Sequence, residues 1–478
     1  KGRDFMAALQ ACEKPVILHK SNTSAQSQVI AQSHTAALAV DDEVVDAACR
    51  KVGVFRAVSF QQFINYAKAF LMPAMRGDNL IVISRSGGHA VVAADAAVAF
   101  GFKLPGLSDG FISKISAQFR AAVIKLTNPI DLGDIFDIDY YITILEMALE
   151  RDDVDGIVLN HVFQAESELA ATLRLARQVE ILTARYNKPV TLVLFSSVKA
   201  VAKIMEEISI PIFSEPLMAF EALSVSRERV RNLAEAADPV IPLPIIAQNA
   251  TRPLFDEWLQ AAARRDKTLF ADQALTVLQE YGLPVAQFVL ARHPHELLEE
   301  GDDLGFPLVL KAVVAGLSHK SDVGGVLTGI NDRQALEDVG SLLFERFSGN
   351  AGFCGVLVQK EGDTSLEMIV GARRDPSFGD IFLIGIGGVY AEILQDVQIV
   401  PAPLSCEIIA TMVDRLRGAR ILRGARGRAG IDLLQLNRVM AGLQALLHDY
   451  PAISEAEINP LVFAAGSCVV VDGRIIVK

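Results

Sequence analysis

The chain has 478 residues, 51% hydrophobic and 21% charged, which excludes a disordered or low-complexity chain and leaves apolar material for about three domains. Its 45 Lys plus Arg stand against 57 Asp plus Glu, a net charge of −12 with no Lys/Arg-rich run, so nucleic acid and anionic membrane surfaces are poor partners. Mean hydropathy is +0.33, yet no apolar run approaches the roughly 18–20 residues of a membrane span. The richest stretch, from Asn79 to Phe100, is broken by Arg85, Gly87, Gly88, His89 and Asp95. The chain reads as soluble.

A helical pattern over Asp4–Cys12 leads into a strand at Val16–His19. Further apolar runs at Leu80–Ser84, Gly156–His161, Val190–Phe195 and Ile210–Phe213 predict strands. Between them lie amphipathic segments at Asp42–Val52, Val91–Phe100, Ile142–Arg151, Ser167–Tyr186 and Leu217–Ala237. Strand–helix alternation with continuous apolar strands predicts a parallel α/β sheet. Asp238–Pro253 carries prolines at 239, 242, 244 and 253 without either period and reads as a linker. After it come a helix at Leu269–Tyr281 and strands at Val285–Leu290 and Pro307–Ala312. Closely spaced strands follow at Gly355–Gln359, Leu366–Arg373 and Ile381–Ile386, and the chain ends in a hairpin, Ile458–Phe463 with Cys468–Val477. Cys12, Cys49, Cys354, Cys406 and Cys468 form no CxxC or Cys/His cluster, so neither zinc nor a disulfide framework is expected and a reducing cytoplasm fits.

Several residues could carry chemistry. His34 stands in a Ser/Thr-rich loop, Ser33-His34-Thr35-Ala36-Ala37-Leu38, before an acidic helix start. The strand Leu80–Ser84 runs through Ser86-Gly87-Gly88 into an Ala-rich helix, and a glycine turn at a helix N-terminus presents free N–H groups to an anion. A tight βα turn is the plain alternative. Farther on, Lys311 at a strand end could reach a nucleotide phosphate as a point charge. It is followed by the loop His319-Lys320-Ser321-Asp322-Val323-Gly324-Gly325, then Gln359 and Glu367, and finally Glu457, Asn459 and Asp472 on the terminal hairpin. Oxygen ligands on neighbouring strands, completed by phosphates and waters, suit Mg²⁺. The order of these residues looks like a nucleotide site.

The chain resembles the NDP-forming acyl-CoA synthetases, the group that includes ADP-forming acetate–CoA ligase and is related to succinyl-CoA synthetase. The stretches that carry the resemblance are SHTAALAVDDEVVDAACRKVGV, the strand–SGG–helix, LTNPIDLGD, FPLVLKAVVAGLSHKSDVGGV, VGARRDPSFGDIFLIGIGGVYAEILQD, ILRGARGRAGID and EAEINPLV. The resemblance implies an α/β fold with flavodoxin-like parallel-sheet CoA-ligase domains followed by an ATP-grasp domain. It divides the chain into residues 1–75 (the C-terminal part of a succinyl-CoA-synthetase-like domain carrying the active-site histidine), 76–237 (a second flavodoxin-like domain), the linker 238–253 and the ATP-grasp domain 254–478. It implies an acid–thiol ligase of the cytoplasm, a homo-oligomer, that turns ATP, a carboxylate and CoA into ADP, phosphate and acyl-CoA. By the same resemblance His34 is the phosphorylated histidine, Ser86, Gly87 and Gly88 hold its phosphate, and His319 is a second phosphohistidine. Lys311, Gln359 and Glu367 contact ATP, and Asn459 and Asp472 hold Mg²⁺.

Two substitutions depart from the family pattern: Ala36 stands where a glycine is usual and Glu457 where an aspartate is usual. The CoA-binding domain and the carboxylate orienting His34 are expected upstream of Lys1. The loop from Gly316 to Gly325, bracketed by glycines, is expected to move and carry phosphate between ATP and His34. The alternative is a non-catalytic, acyl-CoA- and nucleotide-sensing module of a protein acetyltransferase fusion. A plain ATP-grasp ligase without CoA chemistry is disfavoured by the α/β part before the linker.

Overall fold

The computed structural model describes residues 1–24, 26–27, 41–118, 127–133, 135–237, 243, 252–317, 323–362, 366–388, 395–425, 429–464 and 467–478. They group into two compact units: Met6–Ala39 with Val52–Pro239, and Lys1–Phe5 with Val40–Lys51 and Val240–Lys478.

The first unit pairs two short strands in parallel, β1 (Ile17–His19) and β2 (Phe55–Ala57). Its main sheet is parallel, in the order β4-β3-β5-β6-β7, built from β3 (Leu80–Ser84), β4 (Ile130–Asp131), β5 (Gly156–Val162), β6 (Val190–Phe195) and β7 (Ile212–Phe213). The strands are predominantly apolar because both faces are covered. Ile81 and Ile83 pack with Tyr141 and Leu175, whereas Leu80 and Val82 pack with Ala93 and Phe220 on the opposite face. The helices between strands start where small polar residues can cap them: Ser197 accepts from the Ala200 N–H and Asp137 from that of Asp139. The segment Thr127–Gly133 contributes the edge strand β4.

The second unit is built on two antiparallel sheets. Four strands run in the order β10-β9-β11-β8, namely β8 (Phe288–Ala291), β9 (Leu308–Val314), β10 (Val326–Ile330) and β11 (Phe353–Lys360). The other sheet runs β14-β13-β12-β15-β16, from β12 (Leu366–Asp375), β13 (Gly379–Ile386), β14 (Val397–Pro401), β15 (Ile453–Ala464) and β16 (Ser467–Val470), with β17 (Gly473–Val477) also paired to β15. The helix Asp42–Lys51 belongs to this unit, and Lys51 Nζ donates to the carbonyls of Pro401 and Pro403 at 2.6 Å each. The four-stranded sheet is two-faced. Leu308, Leu310, Ala312, Val356 and Val358 pack with Leu297, Leu336 and Leu343 of two covering helices. Val313 and Leu357, of opposite parity, join the core that holds Met368, Val370 and Val470.

Two sequence expectations are corrected. Lys311 does not end its strand, because the apolar run Ala312-Val313-Val314 carries β9 three residues further. The second arm of the terminal hairpin is two strands, interrupted at Val471-Asp472, where the chain leaves one pairing with β15 and enters another. Among the described residues no helix is long and apolar enough to cross a membrane.

Candidate functional site

The nucleotide candidates are brought together in the second unit. In the register of β9 with β11, Lys311 faces Leu357 and Gln359 faces Val309. Lys311 and Gln359 are therefore diagonal neighbours on the face that carries Val313 and Leu357. Both are buried, at 4% and 1% exposure. Lys311 Nζ donates to the Val471 carbonyl at 2.8 Å, which ties β9 to the break beside Asp472. Neither Oε1 nor Nε2 of Gln359 has a hydrogen-bond partner. Buried amides are normally satisfied, so the pair of orphaned atoms marks a place for a group with both a donor and an acceptor. The Watson–Crick edge of adenine has both.

Glu367 stands on β12 opposite Val462. Its carboxylate reaches over Gly388, where a Cβ would collide with it and where φ is +75°, so only glycine fits the turn. Asn459 and Asp472 meet where β15 passes the break, the Asn459 N–H donating to the Asp472 carbonyl at 3.2 Å. Both line a cavity of about 380 Å³, with Arg265, Asp266, Glu457, Arg474 and the β9 extension Val313–Leu317. Burial, and then the Glu455 and Asp472 carboxylates, push the Glu457 carboxyl up from its ordinary value against the opposing pull of Arg474.

Among the described residues no group of three or more His, Cys, Asp or Glu is placed to hold a metal. Mg²⁺ needs fewer, because it keeps waters and takes phosphate oxygens, and the Asn459 amide and Asp472 carboxylate are oxygen donors of the right kind facing one cavity. The sequence signals Glu457 directly, beside Asn459, but not Arg474, which opposes it across β15 and β17 and lines the same cavity.

The phosphate candidates lie in the first unit. Ser86 is the N-cap of the helix Gly87–Ala99 and makes no side-chain bond to its first turn, so the turn's N–H groups are not taken up by their own cap. Ser84 Oγ donates to the Ser86 carbonyl at 2.8 Å and accepts from the Ser86 N–H at 3.3 Å. Arg85 points away, paired to Glu168 through two bonds of 3.1 and 2.7 Å. The structure thus presents Gly87 and Gly88 at an exposed helix N-terminus, at the carboxyl end of a parallel strand. His34 and His319 lie outside the described residues.

Residues 260–477 match the ATP-grasp domain family, and residues 1–70 match the succinyl-CoA ligase like flavodoxin domain. "Acetate–CoA ligase [ADP-forming] I" of Archaeoglobus fulgidus is 30% identical across 98% of this chain and 67% of its own length. The chain belongs to the NDP-forming acyl-CoA synthetase family. A second relative, "4-hydroxybutyrate–CoA ligase [ADP-forming]" of Nitrosopumilus maritimus, is 25% identical over 97% of this chain and 66% of its own length. Among solved structures, the dinucleotide forming acetyl-coenzyme A synthetase 1 of Ca. Korarchaeum cryptofilum, in complex with coenzyme A and Ca-AMPCP, shares 31% identity. The match covers 48% of this chain and 100% of that one, at a TM-score of 0.44. The chain spans about two thirds of the length of the curated relatives. Both are acid–thiol ligases by name, which does not favour the sensing alternative.

Proposed function

We propose that this chain carries the phosphoryl-transfer machinery of an ADP-forming acyl-CoA synthetase: ATP + carboxylate + CoA → ADP + phosphate + acyl-CoA. The observation that carries the reading is the buried, unpartnered Gln359 amide beside buried Lys311, on a strand that continues into the cavity lined by Asn459 and Asp472. Gln359 takes the adenine edge, Glu367 the ribose hydroxyls and Lys311 the phosphate charge. Asn459 and Asp472 hold Mg²⁺, which when bound neutralises charge on the transferring phosphoryl group.

In the same reading His34 and His319 are the nucleophiles that accept phosphate, since a neutral imidazole attacks phosphorus and returns it at high transfer potential. Ser86, Gly87 and Gly88 hold the phosphoryl group at the helix N-terminus. The domain limits 1–75, 76–237 and 254–478, a homo-oligomeric state and a cytoplasmic site of action belong to the same proposal. Its partners are small molecules, in keeping with the net charge of −12.

The test is ADP release by the full-length protein with ATP and Mg²⁺, screened over a panel of carboxylates. Release that depends on both one of the acids and CoA supports the reading. Release with no acid of the panel, or release indifferent to CoA, contradicts it.

A further inference from the structure

Asn160 interrupts an apolar strand, Gly156-Ile157-Val158-Leu159-Asn160, and is 0% exposed. Neither its Oδ1 nor its Nδ2 has a hydrogen-bond partner. Its position is set by register: Asn160 pairs with Ser84 on one side and with Val193 on the other. Val158, Leu80, Val82 and Val193 share a core with Ala93 and Ala96 of the helix Gly87–Ala99 and with Phe220 and Leu223 of the helix Pro216–Ala237, so Asn160 and Ser84, of the same parity, lie on the face that these two helices cover. Ser84 is bonded to the N-cap Ser86. On the β6 side Phe195 stacks on His89 at 3.8 Å, and His89 Nδ1 is also buried without a partner. The Asn160 amide therefore sits beneath the turn Gly87-Gly88-His89. This is also the point at which the strand order β4-β3-β5 reverses, the crevice where flavodoxin-like sheets take ligands.

The turn itself is open to solvent. Gly87 and Gly88 are exposed, and a Cβ on Gly88 would meet nothing nearer than Ser86 Oγ at 3.8 Å. A second acceptor stands at the same turn. Asp131 ends β4, accepts the Gly133 N–H at 2.9 Å through Oδ1, and holds Oδ2 at 2.8 Å from where a Cβ on Gly87 would be. The helix N-terminus and Asn160 Nδ2 call for an anion, whereas Asn160 Oδ1 and the Asp131 carboxylate can only accept. A fully deprotonated anion leaves both acceptors unmet and brings its charge against Asp131.

We infer that Asn160 is a specificity-determining residue of this turn, which selects an oxyanion carrying its own O–H, hydrogen phosphate, over sulfate. The inference rests on the proposal that the turn is a phosphate site. Near neutrality inorganic phosphate keeps at least one P–OH and sulfate keeps none, although the two match in shape. A site whose buried groups must pair an O–H rejects the analogue that lacks it, because its own polar atoms are then stranded.

The experiment is calorimetric titration of the full-length protein with inorganic phosphate and with sulfate at pH 7, for the native chain, Asn160→Leu and Asp131→Asn. The native chain is expected to bind phosphate roughly tenfold or more tighter than sulfate, one hydrogen bond to a charged group being worth about that factor. Asn160→Leu should collapse that ratio while raising the ligand-free thermal midpoint, since it removes an unpartnered buried amide and keeps the volume. Asp131→Asn should narrow the ratio by admitting sulfate. An unchanged ratio in both variants overturns the inference and leaves the phosphate site standing. A lowered midpoint for Asn160→Leu with an unchanged ratio also overturns it, since the amide would then be structural. Binding of neither anion by the native chain overturns the site itself.

Discussion

The assignment of Gln359 makes a prediction in which stability and function move in opposite directions. Gln359→Met keeps the length and nearly the volume of the side chain but removes both orphaned atoms. A buried polar group left without partners costs about 1–3 kcal/mol, so the ligand-free variant should gain about 2 kcal/mol. For a unit of this size that corresponds to a rise of about 4–8 °C in thermal midpoint. ATP, in turn, loses the two hydrogen bonds that the amide would make with adenine, each worth about 0.5–1.5 kcal/mol, so its affinity should fall roughly tenfold or more. Scanning calorimetry of the nucleotide-free protein and titration with a non-hydrolysable ATP analogue measure the two quantities on one preparation. A lowered midpoint with unchanged affinity would refute the reasoning, because the amide would then be a packing element rather than a ligand group.

Three further outcomes follow. Asn459→Ala and Asp472→Ala should each cut Mg-ATP turnover by more than tenfold while leaving the thermal midpoint close to native, and restored turnover at high Mg²⁺ would mark them as metal ligands. ATP labelled at the γ-phosphate should give an acid-labile, base-stable phosphoprotein, and His34→Ala with His319→Ala together should abolish the label. His161, 0% exposed, has its imidazole pushed down to about 4 by burial first and by the Arg85 charge second, with Glu168 opposing. It stays neutral in the fold while the unfolded chain takes up a proton near the ordinary 6.5. Its contribution is therefore complete above pH 6.5 and is lost as the pH falls toward 4, about 3 kcal/mol in all, so urea midpoints of His161→Leu should decline less over that window than those of the native chain.

Much of the fold was legible because it rests on local pattern. Leu80–Ser84 and Val190–Phe195 are apolar runs bounded by turn residues, and they form β3 and β6 with those limits. The strands not foreseen are short or lie at edges. β10, Leu327-Thr328-Gly329 at its centre, is half open to solvent and so lacks an apolar signature. Lys311 reads as a strand end in the sequence, but its bond to the Val471 carbonyl lets the buried ammonium stand inside β9, which continues to Val314. Which residues face one another is a matter of register, and no spacing in the sequence sets Gln359 beside Lys311. Asn160 did leave a trace, an amide inside an apolar strand, but its orphaned state and its place under Gly87 exist only after the chain is folded.

The chemistry itself can be followed by the fate of one oxygen atom. If ATP phosphorylates the carboxylate by way of phosphohistidine and CoA then displaces phosphate, one carboxylate oxygen must leave in that phosphate. The full-length protein, given ATP, Mg²⁺, CoA and its acid labelled with ¹⁸O in both carboxylate positions, should yield ADP and inorganic phosphate carrying one ¹⁸O per acyl-CoA formed. Label appearing in AMP, or phosphate released without label, would contradict the account.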